Sequence, residues 1–278
     1  NAENPRNAVS AAAHGFLTRD GVHPLELLSI AKEQMRQYES VEYLVGSVAT
    51  VERVPEGFAV HSAAGRVSLT KRLIIATGYR DELSLLGIPG LEEVYGRSVF
   101  PCPFCDGFEH ADERLAIFAG DAAEHFVPVV GVWSEDLVVF TNGRVLSPSV
   151  RKSLTSRGVS VEEASIAKLV SEKGRLVGVE LTDGRCIARD AGFIRDDFSV
   201  PATDFATRLG IPLVHNMWNM EVSEADEAGR TSEEGVYLVG DTKSGFGGLT
   251  AAAYEGSMCV QHIVHEIASE NWEEILTS

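Results

Sequence analysis

The chain has 278 residues, of which 24 are basic and 41 acidic, so its formal charge is −17. This charge repels polyanions and argues against nucleic acid or an anionic membrane surface as a partner. No apolar run reaches the roughly 18 residues that cross a bilayer, and no basic-then-apolar leader pattern opens the sequence. Four cysteines are too few for a secreted disulfide scaffold, so we expect a cytoplasmic protein of about two domains.

The first third of the sequence predicts a loop of about 25 residues, one helix and a series of strands. Apolar residues recur at helical spacing from Pro24 to Tyr38. Strand patterns follow at Glu42–Ala49, Gly57–Ser62, Arg66–Thr70 and Leu73–Ala76. The last of these is a continuous apolar run, which is typical of a strand buried on both faces.

A second group of elements follows the Pro/Gly segment Gly87–Gly90, which we interpret as a domain boundary. Arg114–Phe118 predicts a buried strand, Ala119 opens a helix that runs to Trp133, and Leu137–Phe140 predicts the next strand. This order is a βαβ unit. The remaining predicted elements are a helix over Val150–Arg157, a hairpin of Val177–Leu181 and Arg185–Ala188, a buried strand over Gly235–Val239 and a helix over Thr250–Ser269.

The strongest chemical signal is the segment Cys102-Pro103-Phe104-Cys105-Asp106-Gly107. Two cysteines at this spacing form a redox dithiol, share a metal, or are two buried structural thiols. A zinc site needs two further ligands, and the next cysteine, Cys186, stands alone, so we expect no metal and favour the redox dithiol. Asp106 would then carry the proton that thiol–disulfide exchange must move. We interpret Cys186 and Cys259 as small buried hydrophobic residues.

The turn between the strand Arg114–Phe118 and the following helix lies where a dinucleotide-binding loop belongs. Its candidate NAD(P) contacts are Gly120, Asp121 and Ala123. The first glycine position of the fingerprint holds Phe118, so the segment also fits an ordinary strand–helix turn. A single arginine, Arg144, follows the next strand, which argues against recognition of a 2′-phosphate.

Two further motifs end apolar strands: Ala76-Thr77-Gly78 and Gly240-Asp241. A Gly-Asp pair at a strand end lets the backbone approach a phosphate while the carboxylate holds a sugar hydroxyl. In this order around the CxxC pair, the motifs resemble those of low-molecular-weight thioredoxin reductases. They resemble in particular the relatives that oxidise or reduce small dithiols, including gliotoxin- and holomycin-type oxidases. The segments Asn4–Asn7, His14–Leu17 and Thr250–Gly256 add to this resemblance.

The resemblance implies an α/β fold with two Rossmann-like nucleotide-binding domains, the second inserted into the first. Residues 1–85 and 191–278 would form the FAD-binding domain, apparently truncated at its N-terminus because no opening strand and GxGxxG loop precede them. Residues 86–190 would form the NAD(P)-binding-like domain that carries the CxxC pair. The implied FAD contacts are Arg6, Asn7, Thr77, Gly78, Gly240, Asp241, Gly248, Leu249 and Thr250.

The resemblance also implies a role for each residue of the pair. Cys105 would face the flavin and form the charge-transfer thiolate, Cys102 would exchange with the substrate, and Asp106 would be the acid–base residue. The protein would be a homodimer that passes two electrons between FAD and a small-molecule dithiol or disulfide, or a thioredoxin-like protein. Reduction would use NAD(P)H and oxidation would use oxygen. The alternatives are a non-catalytic binding or regulatory module that has lost the cofactor, and a nicotinamide-dependent enzyme without flavin.

Overall fold

The computed structural model describes residues 2–217 and 220–277, so the outer ends of the expected first domain, residues 1 and 278, lie outside it. Its helices are α1 (Pro24–Met35), α2 (Leu91–Val94), α3 (Pro103–Asp106), α4 (Ala123–Val130), α5 (Pro148–Ser156), α6 (Phe205–Arg208), α7 (Asp241–Ser244) and α8 (Gly248–Thr277). Short 3₁₀ turns cover Arg6–Val9, Leu83–Leu86 and Phe108–His110. The strands are β1 (Val48–Val54), β2 (Gly57–Ser62), β3 (Val67–Thr70), β4 (Leu73–Ile75), β5 (Tyr79–Asp81), β6 (Val99–Phe100), β7 (Leu115–Phe118), β8 (Leu137–Phe140), β9 (Ser160–Glu162), β10 (Ile166–Glu172), β11 (Arg175–Leu181), β12 (Cys186–Ile187), β13 (Ala191–Ile194), β14 (Ser199–Pro201), β15 (Leu213–His215), β16 (Glu221–Ser223) and β17 (Val236–Leu238).

A five-stranded parallel sheet forms the centre of the middle part of the chain, in the order β6-β13-β7-β8-β9. Every residue of β7 and β8 is buried, as their continuous apolar sequences predict. Phe118 and Phe140 pack on one face against β10 and β11, and Ile117 and Val139 pack on the other against α4 and α5. The α/β class and the βαβ unit expected from the sequence are therefore confirmed.

Two elements of this middle part differ from their predicted bounds. The helix expected from Ala119 to Trp133 is shorter, because residues 119–122 are needed for the turn out of β7 and the helix ends before Gly131. The expected hairpin is present as β11 and β12, but β10 joins it as an unpredicted third strand. Shifts in the β10–β11 register after Ile166 and after Val170 interrupt its alternation, which hides the period of two in the sequence.

An antiparallel meander, β1-β2-β3, is built from residues 48–70. The second and third strands lie where the sequence predicts them. The first does not: it covers Val48–Val54 rather than Glu42–Ala49. A two-residue turn pairs Val54 with Gly57, so the strand must extend to Val54 to complete the hairpin.

A separate pair of parallel strands, β4 and β17, lies beside α8. Ile75 packs into a cluster with Phe58, Phe205 and Leu238. The expected burial of β4 on both faces is wrong, since Ile74 on the opposite face is 40% exposed. Helix α8 is longer than predicted and extends from Gly248 to Thr277.

Strands β5 and β14 pair with each other at the two points where the chain passes between these parts. Asp81 of β5 accepts hydrogen bonds from Arg6 (2.8 Å), from Ser199 of β14 (2.7 Å) and from the hydroxyl of Tyr95 (2.5 Å). This network holds the N-terminal segment against both β5 and β14. Over the residues described, no helix has both the length and the apolarity needed to cross a membrane.

Candidate active site around the Cys102–Cys105 pair

The CxxC segment forms a single helical turn, α3, with Cys102 at its N-cap and Pro103 in its first position. Proline suits this position because its fixed φ is helical and the missing N–H has no helical partner there. Gly107 follows because the turn packs closely: a Cβ at this position would lie 2.3 Å from Trp133 Nε1 and 2.4 Å from the Pro103 carbonyl oxygen. The turn brings the two sulfur atoms to 2.8 Å, with the Cys105 thiol donating to Cys102.

The two thiols differ in environment. Cys102 is 5% exposed, whereas Cys105 is open to solvent. The pKa of Cys102 is lowered, chiefly by the hydrogen bond from Cys105 and also by backbone N–H groups, against the opposing effect of burial. The pKa of Cys105 is raised, first because it holds the shared proton and then because the surrounding turn partly shields the thiol from water. In this conformation Cys105 is the exposed residue of the pair, and the expected exchange at Cys102 stays a prediction.

Asp106 lies next to the pair and is half-buried. Burial raises the pKa of its carboxyl to about 7, and the negative charge of Glu109 adds to the effect, while the charge of His14 opposes it. A carboxyl with a pKa near neutral pH both accepts and returns a proton under physiological conditions. This is the property that the sequence interpretation requires of Asp106.

His14, in the N-terminal loop, contacts the CxxC region. The sequence did not indicate His14 as a site residue. Its Nε2 lies 3.1 Å from Glu109 Oε1, and its Nδ1 lies 3.4 Å from Asp20 Oδ2. The imidazole therefore sits between two carboxylates, one of which influences Asp106. The only signal in the sequence was the resemblance of the segment His14–Leu17, which did not indicate this contact.

Arg6 brings the N-terminal segment close to both the CxxC turn and the Gly-Asp turn. Burial lowers the pKa of Arg6, but the hydrogen bond and charge of Asp81, with smaller effects of Tyr95 and Asp241, raise it overall. The positive charge of Arg6 in turn lowers the pKa of Cys105, against the stronger causes named above. Arg6 thus lies within electrostatic range of both Cys105 and Asp241. Asn7 is half-buried in the same 3₁₀ turn as Arg6.

The Gly240-Asp241 turn is tied to the start of α8. Glu255 of α8 accepts a hydrogen bond from the Gly240 N–H at 2.6 Å, and Asp241 Oδ1 accepts one from the Gly247 N–H at 3.0 Å. Gly240 therefore contributes its backbone shape (φ +64°) and not a free donor. The start of α8, Gly248-Leu249-Thr250, has amides without intrahelical partners.

The first turn of α8 is also joined to the N-terminal loop. The hydroxyl of Thr250 donates to the Gly15 carbonyl at 3.0 Å. Because Gly15 follows His14, this contact links the α8 start to the Glu109 side of the CxxC turn. The structure therefore brings the motifs from three distant parts of the chain together.

Gly78 lines a cavity of about 450 Å³ together with Thr203, Asp204 and Thr242. The Thr77 hydroxyl lies 2.9 Å from the Thr203 hydroxyl, and the Gly78 N–H donates to Thr242 at 2.8 Å. The cavity has the size of a small-molecule site but does not reach the cysteines. Its hydroxyls, with the Asp241 carboxylate and the α8 amides, are groups that fit the sugar, ribityl and phosphate parts of a flavin dinucleotide.

In the candidate NAD(P) loop, unlike in the cavity beside Gly78, the polar groups are already bonded to other residues of the protein. The Gly120 N–H points to Asp196 Oδ1 at 3.4 Å, and Asp121 Oδ1 accepts the Ser147 N–H at 2.9 Å. Ala123 is fully buried in the core cluster beneath α4. The Gly120 N–H of this loop is thus directed to a carboxylate of the protein, and the Asp121 carboxylate is already bound to a backbone N–H.

The structure also shows where the two other cysteines lie and whether side chains are grouped to hold a metal ion. Cys259 is buried, as expected, but Cys186 is exposed, because it lies in the short strand β12 at the edge of the β10-β11-β12 sheet. All four cysteines are free. Within residues 2–217 and 220–277, no group of three His, Cys, Asp or Glu side chains is arranged to hold a metal ion.

Comparison with known proteins agrees with this geometry. The family profile described as "Pyridine nucleotide-disulphide oxidoreductase" matches residues 4–256. The chain belongs to this family. Members of the family are oxidoreductases that typically use FAD and NAD(P)H.

Relatives and solved structures place the chain among proteins named thioredoxin reductase. The probable thioredoxin reductase of Arthroderma benhamiae is 26% identical, over 86% of this chain and 66% of that protein. Thioredoxin reductase aclD of Aspergillus oryzae is 25% identical, over 92% of this chain and 83% of that protein. The putative thioredoxin reductase TrxB of Bacillus anthracis has a TM-score of 0.90 and 34% identity, over 97% of this chain and 90% of that chain. The structure of HlmI also has a TM-score of 0.90, with 32% identity over 100% of this chain and 86% of that chain. The expected thioredoxin reductase-like α/β fold is confirmed.

Proposed function

We propose that this protein is an FAD-dependent thiol/disulfide oxidoreductase that works through Cys102 and Cys105. The observation that carries the proposal is the pair itself, with sulfur atoms 2.8 Å apart and beside an aspartic acid whose pKa is raised to about 7. Isolated structural thiols have no need of such a neighbour. Membership of the disulphide oxidoreductase family supports the same chemistry.

The residues of the pair carry out exchange with a substrate dithiol. One substrate S–S bond forms, the Cys102–Cys105 S–S bond breaks, and two electrons and two protons pass to the pair. Asp106 accepts the proton of the attacking thiol and returns it to the leaving thiolate. The reverse sequence reduces a substrate disulfide.

The FAD site would be built from the two outer segments, residues 1–85 and 191–278, around the middle segment 86–190, except that β13 (Ala191–Ile194) pairs with β6 and β7 and belongs to the middle sheet. Asp241 and the start of α8 would hold sugar and phosphate oxygens, and Thr77 and Gly78 would border the same ligand. When bound, the flavin would supply a two-electron carrier for the pair. The electrostatic link between Arg6 and both Cys105 and Asp241 supports Cys105 as the sulfur nearer to it.

The surface around the pair indicates which kind of substrate it can contact. Phe104 is 76% exposed and Phe108 is 74% exposed, and Phe108 contacts Trp133 edge-on with ring centroids 6.3 Å apart. Exposed aromatic side chains beside a reactive sulfur suit an apolar small-molecule dithiol or disulfide, or the apolar rim of a thioredoxin-like protein. We propose a homodimer as the assembly, in line with the resemblance.

The proposal is tested by adding FAD to the purified chain, removing unbound flavin by gel filtration and recording the visible spectrum before and after a dithiol. We expect bound flavin whose spectrum changes with dithiothreitol. Cys102→Ser and Cys105→Ser should keep the flavin and lose the dithiol response. Cys186→Ser is the matched control, because Cys186 is also exposed but lies away from the pair.

Two results would overturn the proposal. One is the absence of flavin uptake at saturating FAD, together with a Cys102–Cys105 pair that does not react with a disulfide reagent. That outcome would favour the non-catalytic binding or regulatory module. The other is a dithiol response that persists in Cys105→Ser.

A further inference from the structure

The candidate NAD(P) loop lies at the point of the five-stranded sheet where the strand order reverses. From β7 the chain continues to β8 and β9 on one side, while β13 and β6 lie on the other. Gly120 follows β7 and Asp196 follows β13, so both stand at the carboxyl ends of the strands that flank this crevice. In open α/β sheets the pyrophosphate of a dinucleotide binds in this crevice.

An ion pair of the protein occupies the crevice. The two carboxylate oxygens of Asp196 accept hydrogen bonds from the Arg144 guanidinium at 3.0 and 2.5 Å. The Asp196 side chain is 17% exposed, and its Oδ1 is also the atom to which the Gly120 N–H points. Arg144 is held in turn by its Nε, which donates to the Thr141 carbonyl at 2.9 Å.

The ion pair also removes the space that a dinucleotide needs. The second glycine of the fingerprint lets the backbone approach the pyrophosphate, and Gly120 holds that position. Arg144 Nη1 lies 3.3 Å from where a Cβ of Gly120 would be, so the guanidinium covers the glycine. A pyrophosphate in this place would meet a carboxylate of like charge and would have to displace Arg144 from a two-point hydrogen-bonded pair.

We propose that Asp196 closes this loop against NADH and NADPH by standing where the cofactor phosphate would bind. The residues present therefore do not fit a nicotinamide dinucleotide, although they retain the fold that commonly binds one. Arg144, the single arginine in the turn after β8, is already paired with Asp196 and is not available for a 2′-phosphate. The proposal concerns binding to the middle part of the chain and is independent of flavin and of the cysteine chemistry.

The test is equilibrium binding of NADPH and of NADP⁺ to the full chain, measured by isothermal titration calorimetry. We expect no saturation of the wild-type protein up to about 1 mM nucleotide, the upper end of usual Michaelis constants. Asp196→Ala removes the carboxylate and frees Arg144, and should bind at least about tenfold more tightly than wild type. Asp197→Ala is the matched control, because it removes the charge of the next, exposed residue and leaves the loop unchanged.

Each outcome decides the proposal. Micromolar binding of NADPH by the wild-type chain would overturn it, as would an Asp196→Ala variant that binds no better than Asp197→Ala. Asp196→Asn, which keeps the shape of the side chain, serves as the second variant if circular dichroism shows that Asp196→Ala is not folded. Because the assay needs neither FAD nor reactive thiols, these outcomes are separate from those of the proposed function.

Discussion

Asp106 keeps its proton to about pH 7 in the folded protein, and Asp106→Asn should therefore stabilise the fold in a pH-dependent way. Burial and Glu109 raise the pKa of this carboxyl from the ordinary value of 3.8 to about 7. Between these pH values the unfolded chain releases the proton while the folded protein retains it. The stability of the wild-type protein consequently falls as pH rises through this window and is constant above it.

The size of the effect follows from the interval between the two pKa values. The loss of unfolding free energy caused by the raised pKa of Asp106 corresponds to about 4 kcal/mol at about pH 8 and to less than half of that at about pH 5. Solvent screening of the half-buried carboxylate reduces these values by about half. We therefore expect Asp106→Asn to gain about 1 to 2 kcal/mol more unfolding free energy at about pH 8 than at about pH 5.

Urea unfolding followed by circular dichroism at the two pH values measures this difference. Asp112→Asn is the matched control, because Asp112 is an exposed carboxylate close by whose positive φ of 63° asparagine tolerates. An equal gain for Asp106→Asn at both pH values would refute the raised pKa as the cause. So would a pH-dependent gain of the same size in Asp112→Asn.

Two further predictions concern stability and use the same urea assay. Asp81→Asn removes the charge from a carboxylate that is 6% exposed and bound to Arg6, so it should cost about 3 kcal/mol, whereas Tyr95→Phe removes one hydrogen bond and should cost about 1 kcal/mol; equal costs would contradict the network. Cys259→Ser places a hydroxyl at a fully buried position and should cost about 2 kcal/mol, whereas exposed Cys186→Ser should stay within about 0.5 kcal/mol. A larger loss for Cys186→Ser than for Cys259→Ser would contradict the difference in burial between the two thiols.

Predictions that rest on neighbours in sequence agree with the structure in the parallel sheet and at the cysteine pair, whereas the predicted burial of β4 on both faces is wrong because Ile74 is exposed. The runs Leu115–Phe118 and Leu137–Phe140 are buried on both faces because a continuous apolar run has no polar face to expose. The spacing of Cys102 and Cys105 brings their sulfurs together within one helical turn. Errors occur where the bounds of a strand depend on its pairing partner. The pairing of Val54 with Gly57 sets the bounds of the first strand, and register shifts interrupt the alternation that would have indicated the strand Ile166–Glu172.

The sequence by itself determined the α/β class, the parallel strands of the middle part and the closeness of Cys102 and Cys105, because each depends on residues within a few positions of one another. Only the tertiary structure decided that His14 lies against Glu109, that Asp196 lies over Gly120 and that Cys186 is exposed. Gly120 and Asp196 are separated by 76 positions, and no spacing rule relates them. The raised pKa of Asp106 has the same origin, since burial and the charges around a carboxyl depend on which distant segments the fold packs against it.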